Sequence, residues 1–329
     1  MRTLALYLAA LTAVFGIAQT ARTQDRPAAR TDDIQVLTAL PAAYSISSAL
    51  SENTSITVGN LPARPRPMSA LGNYFESRAE QLNDQFGNTQ AVITIGKLWN
   101  GDPLFTAVRA GNVRVVNIDA SKPWSTTLEG VSVAFEPQQD VPWIELEQSD
   151  RVPSVYFWLS PANGIRVAEI IASDFMRLSP TDSAQIERNL ADYRQQLLEL
   201  KREYEVKFAT LLDLTVFALA PEFVYLTSDM GLYVDGYFLK QDIDWTDEDL
   251  QEFESYLKNN DIKVAIHKWE PDEQIQAAID RAGVDLVVLD MIDLGIVEDG
   301  QLREDSYIEL MRTNLEALYT ALSAANPHL

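Results

Sequence analysis

Short apolar runs and longer amphipathic stretches alternate along this chain. Ile34 to Leu40, Ile56 to Val58, Ala91 to Ile95 and Val113 to Ile118 have the length and composition of buried strands. Between them Tyr44, Ile46, Ala49 and Leu50 recur at helical spacing, and a polar, helix-prone stretch ends near Phe86. The Pro/Arg segment Leu61-Pro-Ala-Arg-Pro-Arg-Pro-Met68 breaks the pattern as a loop. Strand alternating with helix predicts a first lobe of α/β type with a parallel sheet.

The longest periodic element starts at Ser179-Pro180-Thr181-Asp182, whose side-chain oxygens suit an N-cap. Behind it Ile186, Leu190, Tyr193, Leu197, Leu200, Tyr204 and Phe208 recur every three or four residues, with Glu, Arg, Gln and Lys between them. A helix of roughly thirty residues reaches about 45 Å at about 1.5 Å per residue, more than the width of one lobe. The stripe therefore reads as a rigid spine between two lobes. A dimerising coiled coil is the alternative, disfavoured by the shortness of the run and its aromatic content. Further along, Leu214 to Ala220, Val264 to Ile266 and Val284 to Leu289 read as strands, with helices from Asp247 to Asn259, Asp272 to Ala282 and Tyr307 to Ala325. Asp247 and Glu248 suit a first helical turn, and Gly283 suits a helix C-terminus. The expected fold is α/β: two α/β lobes with parallel sheets joined by one long spine helix. Its boundaries are 33–178 for the N-terminal lobe, 179–212 for the spine and 213–329 for the C-terminal lobe.

Residues before 33 do not follow this pattern. Arg2 leads into an apolar run from Leu4 to Ala18 that ends in the small residues Gly16 and Ala18. The run is shorter than the roughly 20 residues that span a bilayer, and Gly-x-Ala fits cleavage after Ala18. Residues 1–18 read as a cleavable signal peptide, with an uncleaved anchor as the alternative, and 19–32 as a flexible leader. The chain contains no cysteine, so it offers neither a lipid attachment site nor a disulfide, and the expected location is free in the periplasm. A formal net charge of −22 over 329 residues repels nucleic acid and anionic headgroups. Neither a nucleic-acid partner nor stable membrane insertion after signal cleavage is expected, and the protein is expected to be a monomer.

Several motifs, taken in order, carry a resemblance. Pro153-Ser-Val-Tyr-Phe-Trp-Leu-Ser-Pro161 is similar to a Pro-His-x-Trp-Leu-Asp-Pro pattern. It is followed by a helix from Ala162 and by the spine with Asn189-Leu-Ala-Asp-Tyr193. Val287-Val-Leu-Asp290, Leu294-Gly295 and Ser306-Tyr307-Ile-Glu-Leu-Met-Arg-Thr-Asn314 close the series. Together they resemble the metal-binding cluster of ABC-transporter substrate-binding proteins, the zinc and manganese receptors with two α/β lobes and one long helix. The likeness covers nearly all of the chain beyond the leader. It implies a periplasmic receptor, not an enzyme, that takes ligand in the interlobe cleft and delivers it to an inner-membrane ABC permease.

The resemblance also implies a metal held by three side chains, mostly His, and a carboxylate, a donor set that suits Zn and Mn. This chain departs from it. Arg66 or Met68 stands at the first ligand position, Tyr156 at the second, and Ser228 of Thr227-Ser-Asp-Met-Gly-Leu-Tyr233 at the third; only Asp290 keeps its type. The chain has two histidines, His267 and His328, so no multi-imidazole site can form. Two outcomes stay open. An inward Arg66 would pair with Asp290 and turn the degenerate metal site over to a non-metal ligand or a protein-interaction role, with Tyr74, Trp99, Tyr156, Trp158 and Tyr233 as apolar walls. Alternatively Tyr156, Asp229 and Asp290, with Ser228 nearby, form an all-oxygen set for a divalent or ferric ion carried as transported ligand. No resident cofactor is expected. The carboxylates Asp229 and Asp290 lack a histidine base beside them, which argues against catalysis.

Overall fold

A computed structural model of the chain describes residues 33–145 and 150–326. The expected signal peptide, the leader and His328 lie outside the described residues. The first lobe runs β1 (Ile34–Thr38), α1 (Pro41–Ser51), β2 (Ile56–Asn60), α2 (Leu71–Gly87), β3 (Ala91–Thr94), α3 (Leu104–Gly111) and β4 (Val116–Asp119). Its strands form a parallel sheet in the order β2-β1-β3-β4. Successive strand residues serve opposite faces: Val36 and Ile93 join an inner core, whereas Leu37 and Val92 join an outer core with Leu71, Phe75 and Leu104. Burial on both faces is why these strands read as unbroken apolar runs. The eight-residue α3 is too short to declare itself by periodicity.

Between β4 and α4 (Pro161–Leu178) the described residues form no α-helix, only the 3-10 turn Phe157–Leu159. Ser160 starts α4 as N-cap, its Oγ accepting from the Asn163 amide at 3.0 Å, with Pro161 in the first turn. Next comes the spine, α5 (Ser183–Phe208), whose 26 residues span about 39 Å at about 1.5 Å each. Ile186, Tyr193, Leu197, Leu200, Tyr204 and Phe208 are all buried along it. The helix entrance differs from the expected N-cap. Pro180–Asp182 form a 3-10 turn, and the Asp182 carboxylate accepts from the Ser55 amide (2.9 Å) and from Ser179 Oγ (2.7 Å). Its side chain ties the start of the spine to the turn before β2 and makes no capping bond to α5.

The second lobe contains β5 (Thr215–Ala218), α6 (Val224–Asp229), β6 (Tyr233–Tyr237), α7 (Asp247–Asn259), β7 (Val264–His267), α8 (Glu273–Ala282) and β8 (Asp285–Val288). A small hairpin, β9 (Val297–Glu298) with β10 (Gln301–Leu302), precedes α9 (Ser306–Ala325). The parallel order β6-β5-β7-β8 repeats that of the first lobe. Thr246 and Asp249 close a capping box on α7. The chain leaves α8 through Gly283 at φ 71°, a left-handed position where glycine carries no side-chain penalty.

One inner core runs through both lobes. It includes Val36 and Ile46 from the first, Tyr193 and Leu200 from the spine, and Val216, Ile266 and Leu315 from the second. Residues 140–144, which the sequence boundaries place with the first lobe, pack on the second. Asp140 and Tyr237 exchange backbone hydrogen bonds at 2.9 and 3.2 Å, and Val141, Trp143 and Ile144 join the outer core of Phe217, Phe238 and Phe253. The last helix returns to the first lobe: Ser45 Oγ donates to the Glu304 carbonyl at 2.6 Å and accepts from the Tyr307 amide at 3.2 Å. Tyr307 Oη donates to the Trp158 carbonyl at 2.6 Å, lying against Gly164, where a Cβ would collide with it.

Candidate ligand cleft

In an open α/β sheet, ligands bind beyond the carboxyl ends of the strands, where successive connections diverge to opposite sides. In the second sheet that point lies between β5 and β7. Glu222 follows β5 by four residues, and Lys268 is the first residue beyond β7. The two meet across the divergence, Lys268 Nζ donating to Glu222 Oε1 at 2.5 Å, while Nζ also stands 4.5 Å from the centroid of the Trp269 ring. Glu222 is 8% exposed, and its second oxygen, Oε2, is buried without a hydrogen-bond partner.

Further acidic groups surround this pair. Asp293 in the loop after β8 is also 8% exposed, and burial, reinforced by the charges of Asp290 and Glu222, pushes its carboxyl up to about 6. Burial raises the Tyr156 phenol as well, and Glu222, Asp293 and Glu136 drive it higher, so this phenol stays protonated at neutral pH. Tyr156 stacks edge-on with Trp158, centroids 5.4 Å apart, and Trp158 Nε1 donates to the Met291 carbonyl at 2.9 Å. Burial also raises Glu136, again with help from Glu222. His267, at the end of β7, is buried and its ring is held neutral by burial; Nε2 lies 3.4 Å from Asp242 Oδ1, and Nδ1 has no partner.

The residues singled out by sequence fall in several places. Tyr156 and Asp290 belong to this cluster. Asp290 Oδ1 accepts from the Ile292 amide at 2.6 Å, and Asn314 holds its backbone. Arg66 is exposed on its loop with the guanidinium 5.6 Å from the Tyr74 ring centroid. Among the described residues no ion pair joins it to Asp290, because the guanidinium rests on the aromatic face. Met68 is buried in the turn Met68–Ala70 and packs into the inner core. Ser228 is exposed near the end of α6. Asp229 accepts from Ser160 Oγ (2.7 Å), the Ala162 amide (3.0 Å) and Lys201 Nζ (2.8 Å), which commits it to the entrance of α4 and to the spine.

Glu136, Glu222, Lys268 and Asp293 are charged members of this cluster that were not singled out by sequence. The available signal was position: Ala218-Leu-Ala-Pro-Glu222 and Ile266-His-Lys268 each place a charged residue just past a buried strand. Among the described residues no three His, Cys, Asp or Glu side chains stand close enough together to hold a metal ion. An imidazole-rich site does not fit this chain. The orphaned Glu222 Oε2 shows that one oxygen donor remains available.

The family model described as "ZnuA: Zinc-uptake complex component A periplasmic" matches residues 74–321. Zinc-binding protein AdcA of Streptococcus pyogenes serotype M6 is 24% identical over 178 residues, covering 53% of this chain and 34% of that protein. The match thus spans about a third of the length of these curated relatives. Among solved structures, the SBP FpvC of Pseudomonas aeruginosa in complex with Mn2+ superimposes with a TM-score of 0.65 at 21% identity, over 89% of this chain and 100% of that one. A crystal structure of ZnuA gives 0.62 at 19% identity over 90% and 100%. Both share the two-lobed fold with its long spine. With three quarters of the sequence inside one family model, and the elements of that fold present in order, the chain belongs to the ZnuA family.

Proposed function

We propose that this protein is a periplasmic solute-binding protein of an ABC transporter, of the zinc/manganese receptor type. It takes its ligand between the lobes and delivers it to an inner-membrane permease. The observation that carries this reading is the match of residues 74–321 to the ZnuA family model on a fold of two parallel sheets joined by the long helix α5. The relatives support a divalent cation as cargo, since AdcA is named zinc-binding and FpvC was solved with Mn2+.

The apolar run before Ala18 supports export through a cleavable signal, and the lack of cysteine supports a mature chain without lipid. Among the described residues no helix is long and apolar enough to cross a membrane. The spine restricts the lobes to small rocking movements, so capture and release work through modest shifts of loops and lobes. The protein acts as a monomer and performs no reaction.

The test is to purify the chain without added metal, measure the elements it carries, and follow its melting temperature with Mn2+, Zn2+ and Fe3+. Metal at about 100 times its Kd should stabilise the folded state by about 2.7 kcal/mol. If no metal co-purifies and none of the three raises the melting temperature at millimolar concentration, the reading is overturned.

A further inference from the structure

A cavity of about 470 Å3 lies between α1, the spine and the start of α9, and it shares no residue with the cleft. Ser45, Ala49 and Glu52 face it from α1, at the three- and four-residue steps that keep them on one side of that helix. Tyr193 lines it from the spine, and Glu304 and Ile308 line it from the remaining side. Its volume falls within the roughly 300–1,000 Å3 of small-molecule sites. Tyr193 carries an unmade bond into this place. The residue is 4% exposed and reaches from the spine toward Tyr307 on α9, yet its Oη is buried without a hydrogen-bond partner. A buried hydroxyl is left unpaired only at a cost, so it marks a position that a donor from outside would fill.

Charge decides what the cavity takes. Asp305 and Glu309, also on its rim, are both paired with Arg303, at 2.8 and 2.5 Å, and Arg312 is paired with Glu203 at 2.7 Å. Glu52 and Glu304 have no ion pair among the described residues. Glu52 meets the Asn53 side-chain amide at 3.5 Å, and Glu304 meets the hydroxyl of Tyr44, both neutral partners. The two uncompensated carboxylates belong to opposite ends of the cavity. Ser45 Oγ holds the Glu304 carbonyl at 2.6 Å, and Glu52 follows Ser45 by two helical turns, about 10 Å at about 1.5 Å per residue. A single metal ion does not bridge such a span, and among the described residues no three His, Cys, Asp or Glu side chains stand close enough to hold one. A chain with a cation at each end does bridge it.

We propose that this cavity binds a short linear diamine. One ammonium pairs with Glu52, the other with Glu304 while donating to Tyr193 Oη, and the methylenes between them lie against Ala49 and Ile308. The site goes beyond the receptor reading and does not depend on it, since it uses neither the cleft nor a metal. A bound diamine also braces α1 against α9, adding to the bonds that Ser45 already makes to Glu304 and Tyr307.

Titration calorimetry and melting temperature with putrescine test it. Butylamine serves as the single-ammonium control, and Mg2+ as the control for simple attraction to an acidic chain. The expected result is putrescine binding with a Kd below about 1 mM and at least about tenfold tighter than butylamine, with a raised melting temperature that Mg2+ does not reproduce. Glu52→Gln and Glu304→Gln should each weaken putrescine about tenfold. Tyr193→Phe should weaken it about threefold while melting no lower than wild type, because Phe removes an unpaired hydroxyl and keeps the ring. Neither heat nor a melting shift with putrescine at about 10 mM overturns the proposal. Equal affinity for putrescine and butylamine overturns it too, as does binding that survives in E52Q/E304Q, which would assign the effect to the general acidity of the chain. A chain that answers to putrescine but to no transition metal keeps this site and loses the receptor reading; the reverse pattern keeps the receptor and loses the site.

Discussion

Burial, with Asp290 and Glu222 nearby, lifts the Asp293 carboxyl from 3.8 to about 6, so folding favours its proton. The sign follows from linkage. The stability attached to the neutral form is fully present below the ordinary carboxyl value and is lost as the pH rises through about 6. A displacement of about two units corresponds to roughly 3 kcal/mol as an upper figure. Asp293→Asn, neutral at every pH, should therefore flatten the stability profile between about pH 4 and 7 and exceed wild type at about pH 8, as read by urea unfolding without metal. A wild-type profile that keeps its slope in D293N would assign the titration to another group. Gly164 gives a second residue-level expectation. Alanine would gain up to about 1 kcal/mol of helix propensity, but its Cβ would strike Tyr307 Oη and break the bond to the Trp158 carbonyl. Overpacking of about 1–3 kcal/mol together with a lost hydrogen bond of about 1 kcal/mol outweighs that gain, so G164A should lower stability by about 1–3 kcal/mol.

The cleft was only partly legible at this scale, and for a physical reason. Tyr156 and Asp290 sit in motifs that survive as local strings, Tyr-Phe-Trp-Leu and Val-Val-Leu-Asp. Ser228, the third position by resemblance, is exposed on α6, whereas Glu222 lies in the turn just after β5. Glu136, Glu222, Lys268 and Asp293 come from four separate loops, and no local spacing records their meeting.

Elements show the opposite balance. The spine's three-and-four spacing matches the buried face of α5 except at Leu190, which is half-buried, because one side of a helix meets the core and the rest meets water. Leu200, fully buried, and Leu198, 50% exposed, are two residues apart on that helix. Leu200→Ala should cost about 2–5 kcal/mol and Leu198→Ala less than about 0.5 kcal/mol in chemical denaturation. Five elements escaped sequence reading: the eight-residue α3, the hairpin strands β9 and β10, the edge strand β6 and the short α6. The edge strand β6 holds an exposed Tyr233 and half-buried Val234 and Asp235, so it lacks the unbroken apolar run of a central strand. The six-residue α6 is too short for a period. Asp229, carried on α6, binds the α4 entrance and the spine. Its removal should release the α4 entrance and Lys201, although Lys201 keeps Glu205 at 2.8 Å. Asp229→Ala should therefore lower stability by about 2 kcal/mol, below the about 3–5 kcal/mol of a fully buried pair, and leave the metal response of the melting temperature unchanged. A metal response abolished at equal folded fraction would return Asp229 to the cleft.

At the scale of the whole described chain, the inner core passes from Val36 through the spine to Ile266 without a break. Two lobes that share a core should not melt separately. Urea unfolding followed by tryptophan fluorescence and by far-ultraviolet circular dichroism should give one coincident transition, and two resolved steps would contradict that coupling. Trp158 and Trp143 report from the inner and second-lobe cores respectively.

The bonds from Ser45 to Glu304 and Tyr307 join positions 259 and 262 residues apart. A polypeptide made from its N-terminus exposes α1 long before its docking partner exists, and contacts of such separation form late and slowly. The first lobe therefore cannot reach its final packing until almost the last helix has been delivered. On the periplasmic reading, α1 waits for its docking partner until the last helix has followed it across the membrane.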